Sequence, residues 1–294
     1  MLVSFWEKLT LNQKLAITAW TFLFIPIIFY VVIRFYPTFE AFYVSTLKWN
    51  LLGAKKYIGF KNYERILGDE DFWLVLLNTI KYAIFGVPIS MLIAFLIAYY
   101  LNEIIFGHEF IRALYFIPFL TTAVAMAWVW RWFYQPVPIG YFNIFLSWFE
   151  IPQQPFLKSV EQALYAILAP AVWAGLGFQV VIFIAGMRAI PKHFYEAAEI
   201  DGAGRFQILW EITLPSLKPT IIFLTVISTI GFLRIFDHVY SMSAGGGGGP
   251  LNSTKPLVLM IYEFAFEEFK LGRASALTVI LFLILLFISL LQLW

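Results

Sequence analysis

The sequence predicts an all-α membrane protein with six transmembrane helices and one water-exposed helix-turn-helix between the fourth and fifth spans. Of the 294 residues, 61% are hydrophobic and only 13% are charged, whereas soluble domains are about half apolar and a quarter charged. Several apolar runs reach about 20 residues, the length that crosses a bilayer core of about 30 Å as a helix. One polar segment between two such runs is rich in helix start and stop signals.

The chain divides into a short N-terminal segment and one membrane domain. Residues 1–14 mix aromatic and charged side chains, which is typical of an interfacial helix or of a frayed tail. Residues 15–294 form the membrane domain. Its predicted spans cover residues 15–35, 72–101, 111–134, 163–187, 220–241 and 274–294. The chain stops inside the last apolar run without a closing charge cluster, so we expect a trimmed sequence or a further tail.

The connections between the spans contain residues that predict helix caps, short helices and a tight loop. A polar loop from Pro37 ends in Asp69 to Asp71, whose carboxylates can cap the second span. The proline-rich loop after the third span predicts a short helix over residues 142–149. Gly245 to Gly249 predicts a flexible hinge or a close backbone approach. Residues 261–271 predict a short amphipathic helix before the last span.

The polar segment, residues 188–219, predicts two short helices. Pro191 fits the first position of a helix, because its missing N–H is not needed there. Gly202 or Gly204 should end this helix, since glycine adopts a positive φ without strain. Arg205 to Leu214 predicts the second helix, and Pro215 should end it. A simple connection between spans would not need about 25 residues with this much helix punctuation.

The composition excludes several kinds of chemistry. There is no cysteine, so disulfides and thiolate sites are excluded. His108, His193 and His238 are far apart in sequence and form no metal-spaced pair. Gly245 to Gly249 is followed by Pro250 rather than by the Lys-Ser or Lys-Thr of a phosphate-binding loop. We therefore expect neither metal, cofactor nor enzyme activity in this chain. A net charge of +2 does not indicate nucleic acid binding.

The polar segment carries a recognisable motif at a defined spacing. It consists of Glu196, Ala197, Ala198, Asp201, Gly202, Ala203, Ile212, Leu214 and Pro215. In these residues the chain resembles the EAA loop of the permease subunits of binding-protein-dependent ABC importers, and specifically the sugar-uptake branch with its maltose-F-type subunit. The resemblance covers about Pro26 to the end and implies the type I ABC importer permease fold.

The resemblance also implies partners and a location. In the family, the EAA helices are coupling helices that lie in a cleft of two ATP-binding cassette subunits, which bind ATP and Mg. A second homologous permease subunit and an extracytoplasmic solute-binding protein complete the assembly. This implies a multi-pass protein of a bacterial or archaeal cytoplasmic (inner) membrane, with the N-terminus and EAA loop cytoplasmic. Loop charge alone leans weakly the other way, because the loop after the first span holds the most Lys and Arg.

The maltose-type resemblance further implies residues of a path for a sugar or oligosaccharide. They are Trp173, Gly177, Ser228, Phe232 and Arg234. Aromatic faces and hydrogen-bonding groups suit sugar rings, although ordinary helix packing explains Trp173 and Phe232 equally well. A charge inside a span, as at Arg234 and Lys81, costs about 3 kcal/mol unless it faces protein or water. If either charge faces the path, an anionic sugar is favoured over a neutral one.

Two other functional hypotheses remain open from the residues. A self-sufficient secondary carrier or channel would use Lys81, Arg234 and Asp237, and Arg234, Asp237 and His238 are predicted to share one helix face. Such carriers often contain repeated halves, and we find no convincing internal repeat. A membrane anchor or scaffold is the third hypothesis.

Overall fold

The prediction of an all-α membrane fold is confirmed by a computed structural model, which describes residues 9–51, 53–103 and 115–294. Within these ranges the helices are α1 Leu11–Ser45, α2 Lys61–Leu67, α3 Glu70–Glu103, α4 Ala123–Phe133, α5 Tyr141–Ser147, α6 Ala163–Arg188, α7 Lys192–Ile200, α8 Arg205–Ser216, α9 Lys218–Leu233, α10 Asp237–Met242, α11 Leu257–Tyr262 and α12 Leu271–Leu293. Two short antiparallel strands, β1 Leu47–Lys48 and β2 Lys56–Tyr57, are the strands of the described chain.

Among the described residues, four helices are long and apolar enough to cross a membrane, namely α1, α3, α6 and α12. A fifth span is counted if the bent pair of α8 and α9 is taken as one. Residues 1–8 of the predicted interfacial segment and residues 111–114 of the predicted third span lie outside the described residues.

Helix α1 is longer than the predicted first span. It begins with a capping box, in which the backbone N–H of Gln13 donates to Thr10 and the Gln13 side chain accepts from Thr10. Pro37, which we expected to begin a loop, lies inside the helix instead. A π-turn at Val31–Phe35 directly precedes it, and the wider turn accommodates the proline ring. The last turns of α1 pack on α12, where the rings of Phe42 and Phe282 lie 5.7 Å apart.

Helices α3 and α6 form the centre of the bundle. They pack along each other, and α9 packs on α3. Of the four span-length helices, α6 is the most buried. The core around this pair includes the fully buried Tyr82, Phe183 and Leu224. A second apolar cluster joins the start of α3 to α11 and α12.

Two predicted spans are not single helices. Residues 115–120 are helical, but α4 begins only at Ala123, after Thr122 caps it by accepting from the backbone N–H of Ala125. The predicted fifth span, residues 220–241, is broken between α9 and α10 at residues 234–236. Arg234, Asp237 and His238 therefore do not share one helix face, and that prediction was wrong. Arg234 ends α9 with φ −107° and ψ 18°, which are not helical values.

The glycine-rich loop between α10 and α11 is tied down rather than free. Side chains of α3 bond to its backbone: the Asn78 amide donates to the carbonyl of Asn252 at 2.9 Å, and the Tyr82 hydroxyl donates to that of Thr254 at 3.1 Å. The backbone N–H of Leu257 donates to the Thr79 hydroxyl at 2.9 Å. These bonds hold the loop against the bundle, so it is a close-approach loop and not a hinge.

The short helices outside the spans differ slightly from the predictions. The loop helix expected over residues 142–149 is α5, Tyr141–Ser147. The amphipathic helix expected over 261–271 begins earlier, as α11, and continues through a π-turn at Glu263–Glu267 before α12 starts.

Helix α12 should depend on the absence of a side chain at Gly272. A Cβ atom there would lie 2.0 Å from the carbonyl oxygen of Leu47 in β1, a backbone atom that cannot move aside. We expect Gly272→Ala to destabilise the protein by about 1–3 kcal/mol, as overpacking does. Thermal unfolding of the purified protein in detergent measures this effect. Gly247→Ala is the matched control, because its Cβ meets nothing within 4 Å; equal melting temperatures for both variants would contradict the packing at Gly272.

Candidate functional site

The candidate site has two halves, and the first is the helix pair α7 and α8. Helix α7 begins one residue later than the sequence predicts. Pro191 is the N-cap of α7, with φ −60° and ψ 131°, rather than the first helical residue. Its carbonyl accepts from the backbone N–H of Phe194 at 3.2 Å. The missing N–H of proline is harmless at either position, which explains why the sequence signal does not separate them.

Gly202 ends α7 as the sequence predicts. Its φ is +75°, and two hydrogen bonds close the turn: the N–H of Ala203 donates to the carbonyl of Ala198 at 2.9 Å, and the N–H of Gly202 donates to Glu199 at 3.1 Å. This is the Schellman arrangement, in which the residue at positive φ is normally glycine. A Cβ at Gly202 would meet nothing within 4 Å, so only the backbone angle requires glycine here.

Pro215 does not end α8, contrary to the prediction. The helix runs from Arg205 to Ser216 through a π-turn at Leu209–Thr213, in which the N–H of Leu214 donates to Leu209. This wider turn leaves room for the proline ring. The chain then bends by 65° into α9, and Leu217, at the bend, is fully buried.

The two short helices are joined by one polar contact and enclose a groove. The hydroxyls of Tyr195 and Thr213 lie 3.3 Å apart. The groove has a volume of about 290 Å³ and contains most of the predicted motif on its walls. The motif residues that line it are Ala197, Ala198, Asp201, Ala203 and Ile212. Glu196, Gly202 and Pro215 are exposed outside it, and Leu214 is half-buried.

The outer surface of this helix pair is both apolar and charged, and Lys192 and Arg205 are among its exposed residues. Ile200 is 86% exposed, and the rings of Phe206 and Trp210 form an exposed pair 5.9 Å apart. Trp210 is 57% exposed, so its ring does not pack against the bundle. Glu196, Glu199 and Asp201 are exposed as well. In the described part of the chain, none of these carboxylates forms an ion pair.

The second half of the site is a cavity of about 380 Å³ at the break between α9 and α10. Three of the five predicted path residues line it: Ser228, Phe232 and Arg234. The other two do not. Trp173 packs beside Trp130, with ring centroids 5.9 Å apart.

Gly177 instead permits a close approach of backbone. A Cβ there would lie 2.5 Å from the carbonyl oxygen of Tyr115. Phe232 also has a packing role, since its ring fills the space left by Gly86 on α3, where a Cβ would come within 2.6 Å of it. Lys81 on α3 is not among the residues that line the cavity.

A buried polar cluster at the cavity wall was missed in the sequence. The Gln179 amide nitrogen donates to Ser90 at 3.2 Å and to Ser228 at 3.0 Å, which joins α6, α3 and α9. Gln179 is only 5% exposed, and its Oε1 has no hydrogen-bond partner among the described residues. Because a buried polar atom is rarely left unpaired, this acceptor is a candidate ligand contact. The signal was present, since Gln179 is a lone amide within an apolar span.

His238 adds a second unpaired atom at the same cavity. Its Nε2 is buried and has no hydrogen-bond partner in the part of the chain that the structure describes, and the residue lines the cavity together with Asp237 and Arg234. Arg234 forms no ion pair among the described residues. The cavity thus combines a cation, a carboxylate and two unsatisfied buried polar atoms with aromatic and apolar walls. Such a mixture suits a small polyhydroxylated molecule better than a purely apolar one.

Comparison with known proteins identifies a family for most of the chain. Residues 75–294 match the model of the family described as "Binding-protein-dependent transport system inner membrane component". The chain is 31% identical over 267 residues to the sn-glycerol-3-phosphate transport system permease protein UgpA of Agrobacterium fabrum, covering 90% of each chain. It is 30% identical over 275 residues to the multiple sugar-binding transport system permease protein MsmF of Streptococcus mutans, covering 93% of each.

A third relative and one solved structure extend the comparison. The trehalose/maltose transport system permease protein MalF of Thermococcus litoralis is 31% identical over 251 residues, with 85% of this chain and 83% of the relative covered. The fold is similar to a chain in the crystal structure of a bacterial alginate ABC transporter in complex with an alginate pentasaccharide-bound periplasmic protein. That match has a TM-score of 0.81 and 23% identity, and covers 96% of this chain and 94% of the other.

Proposed function

Because the chain belongs to the family of binding-protein-dependent transport system inner membrane components, we propose that it is the permease subunit of an ATP-driven sugar importer. It forms half of the translocation path and works by alternating access, in which ATP on one side and a loaded binding protein on the other bias two states of the bundle. The complete transporter also contains a second permease subunit, two ATP-binding cassette subunits and an extracytoplasmic binding protein.

The observation that carries this proposal is the capped helix pair α7–α8. Its outer surface exposes Ile200, Phe206 and Trp210 beside carboxylates that have no ion-pair partner in the described residues. Exposed apolar side chains rimmed by charge are typical of a protein interface. The sequence has no phosphate-binding loop of the G-x-x-x-x-G-K-[ST] type. A separate subunit that binds ATP and Mg is the proposed partner of this surface, and α7–α8 and the N-terminus are cytoplasmic in this proposal.

The exposure of the first helix is evidence for a second permease subunit. Its first part, Leu11–Tyr30, has no buried residue in this chain, although it is long enough to cross most of the membrane. Part of this surface faces lipid, and the rest is available to a neighbouring bundle. The cavity between α6 and α9 would then be one wall of a path that is closed by the second subunit.

The substrate class follows from the relatives and from the cavity. Relatives are named for trehalose and maltose, for multiple sugars and for sn-glycerol 3-phosphate, and this chain takes a substrate of the same carbohydrate-related kind. The unpaired oxygen of Gln179 and the hydroxyl of Ser228 offer hydrogen bonds to sugar hydroxyls. Arg234, which forms no ion pair within the described chain, favours a substrate that carries a negative charge.

The coupling role can be tested at Gly202. A valine there must adopt a positive φ, at a cost of about 1–3 kcal/mol, so we expect Gly202→Val to alter the angle between α7 and α8. The expected result is ATP hydrolysis that no longer drives uptake, or loss of the ATPase subunits from the complex. The measurement is uptake and binding-protein-stimulated ATP hydrolysis by the reconstituted importer, with subunit retention checked on a gel.

Two matched variants separate backbone strain from added bulk. Gly204→Thr also adds a β-branched side chain two residues away, but Gly204 is an extended N-cap residue with φ −74° and ψ 161°, where threonine is favourable. Gly202→Asn retains partial function, because asparagine tolerates a positive φ. If Gly202→Val behaves like the wild-type importer in all three measurements, α7–α8 is not the coupling element.

The charge preference can be tested at Arg234. If the guanidinium binds a substrate anion, Arg234→Ala should lower uptake by about tenfold or more, since a hydrogen bond to a charged group contributes about 1.5–3 kcal/mol. Uptake and yield of the assembled complex are measured together. Lys81→Ala is the control, because Lys81 is a charge in a span that does not line the cavity. Normal uptake by Arg234→Ala would refute the anion-binding role and with it the anionic substrate.

A further inference from the structure

Four aromatic side chains form a contiguous group from the protein surface to the cavity, and three of them, Phe236, Tyr240 and Tyr262, all contact one another. This aromatic ladder consists of Phe266, Tyr262, Tyr240 and Phe236. The ring centroids of Phe266 and Tyr262 lie 5.2 Å apart, and those of Tyr262 and Tyr240 lie 5.5 Å apart. The ring of Phe236 lies 5.3 Å from each tyrosine and is stacked on Tyr240 at an angle of 18°.

The two ends of the ladder differ in exposure. Phe266, at the outer end, is 65% exposed, whereas Phe236, at the inner end, is half-buried and lines the cavity that contains Gln179 and Arg234. Between them, Tyr240 is 38% exposed and Tyr262 is half-buried. The ladder therefore connects an open surface at α11 with the polar interior of the candidate path.

The glycine-rich loop is shaped to fit this ladder. Gly246 has φ +75°, and a Cβ there would lie 2.7 Å from a ring carbon of Tyr240. Only glycine therefore allows the loop to lie against that ring. Beyond the loop, Lys255 pairs with Glu263 at 2.6 Å, with both side chains mostly buried. Because Glu263 follows Tyr262 directly, the ion pair fixes the loop to the helix that bears the ladder.

We propose that the aromatic ladder is an entry track for sugar rings, along which a pyranose slides from the outer surface to the cavity. The inference rests on the proposed function, since it needs a sugar and an outward-facing α11. The C–H groups on the face of a sugar ring carry a slight positive charge and are attracted to the negative face of an aromatic ring. A series of weak, similar sites lets a solute bind well enough to enter and loosely enough to leave.

The track offers aromatic faces to a sugar ring. Within the described residues, Glu263 is paired with Lys255 and Glu268 with Lys270, whereas Glu267, next to Phe266 in the chain, is in neither ion pair. Arg234, which lines the cavity, would supply the recognition of charge. A ringless substrate such as sn-glycerol 3-phosphate would gain little from the ladder, whereas a disaccharide or a longer oligosaccharide would contact two or more rings at once.

The test uses the complete importer with its binding protein in vesicles. The probes are maltose, trehalose, alginate oligosaccharides and sn-glycerol 3-phosphate, and uptake is measured as a function of probe concentration. We expect Tyr262→Leu to lower uptake of the ring-bearing probe that is transported by about fivefold to tenfold, while stimulated ATP hydrolysis stays near normal. Tyr262→Phe keeps the ring and should keep uptake.

Controls separate the track from simple packing. Phe145→Leu removes an exposed ring on α5, outside the ladder, and should leave uptake unchanged. If Tyr262→Leu lowers the yield of complex but not the uptake per complex, the ladder is only structural and the proposal is wrong. Equal losses in Tyr262→Phe and Tyr262→Leu, or transport of the ringless probe alone, would also overturn it. Failure of the proposed function is distinct, because ATP hydrolysis by the unaltered complex would then not respond to its binding protein, whichever probe is present.

Discussion

The constraint that shapes this chain is the lack of hydrogen-bond partners in the bilayer, so that every break in a helix has to be satisfied by protein. The glycine-rich loop illustrates it. Asn78 and Tyr82 donate from α3 to carbonyls of the loop, and Thr79 accepts from the N–H of Leu257. Outside the bilayer, at Gly202, the carbonyls of the helix end are likewise satisfied by protein, because the turn itself donates to them. The breaks are thus built features, and both halves of the candidate site are located at them.

Helix α9 connects those two halves. It begins two residues after α8, past the buried Leu217, and ends at Arg234 on the cavity wall. Its 16 residues span about 24 Å at 1.5 Å per residue. A rigid helix of this length transmits a tilt at one end to the other end. Movement of α7–α8 on a partner would therefore change the cavity through Ser228 and Arg234, and through the Gln179 cluster that joins α9 to α3 and α6. In the proposed mechanism, one short surface element would control the path inside the bundle in this way.

The features that the sequence predicted correctly depend on composition or on residues that are close together in the chain. The apolar runs and the positive φ at Gly202 follow from composition and from the conformational freedom of glycine. Proline misled the prediction twice. Pro37 and Pro215 both lie inside helices, because a π-turn directly precedes each of them. Nothing in the residue types announces such a turn. The bond from Gln179 to Ser90 joins residues 89 apart in sequence, and the aromatic ladder joins two helices across a loop. Those arrangements depend on tertiary packing, which a single sequence does not reveal.

The central claim is that α7–α8 meets an ATPase subunit on the side of the membrane opposite the loop that contains α5. The chain has no cysteine, so a single introduced thiol gives an unambiguous cross-link. Ala197→Cys places it in the groove between α7 and α8, and Ile139→Cys places it on the exposed loop before α5. In the assembled importer, a short cross-linker with one thiol-reactive and one photoreactive end should join Ala197→Cys to an ATP-binding cassette subunit and Ile139→Cys to none. An ATPase cross-link from Ile139→Cys, with none from Ala197→Cys, would contradict the account.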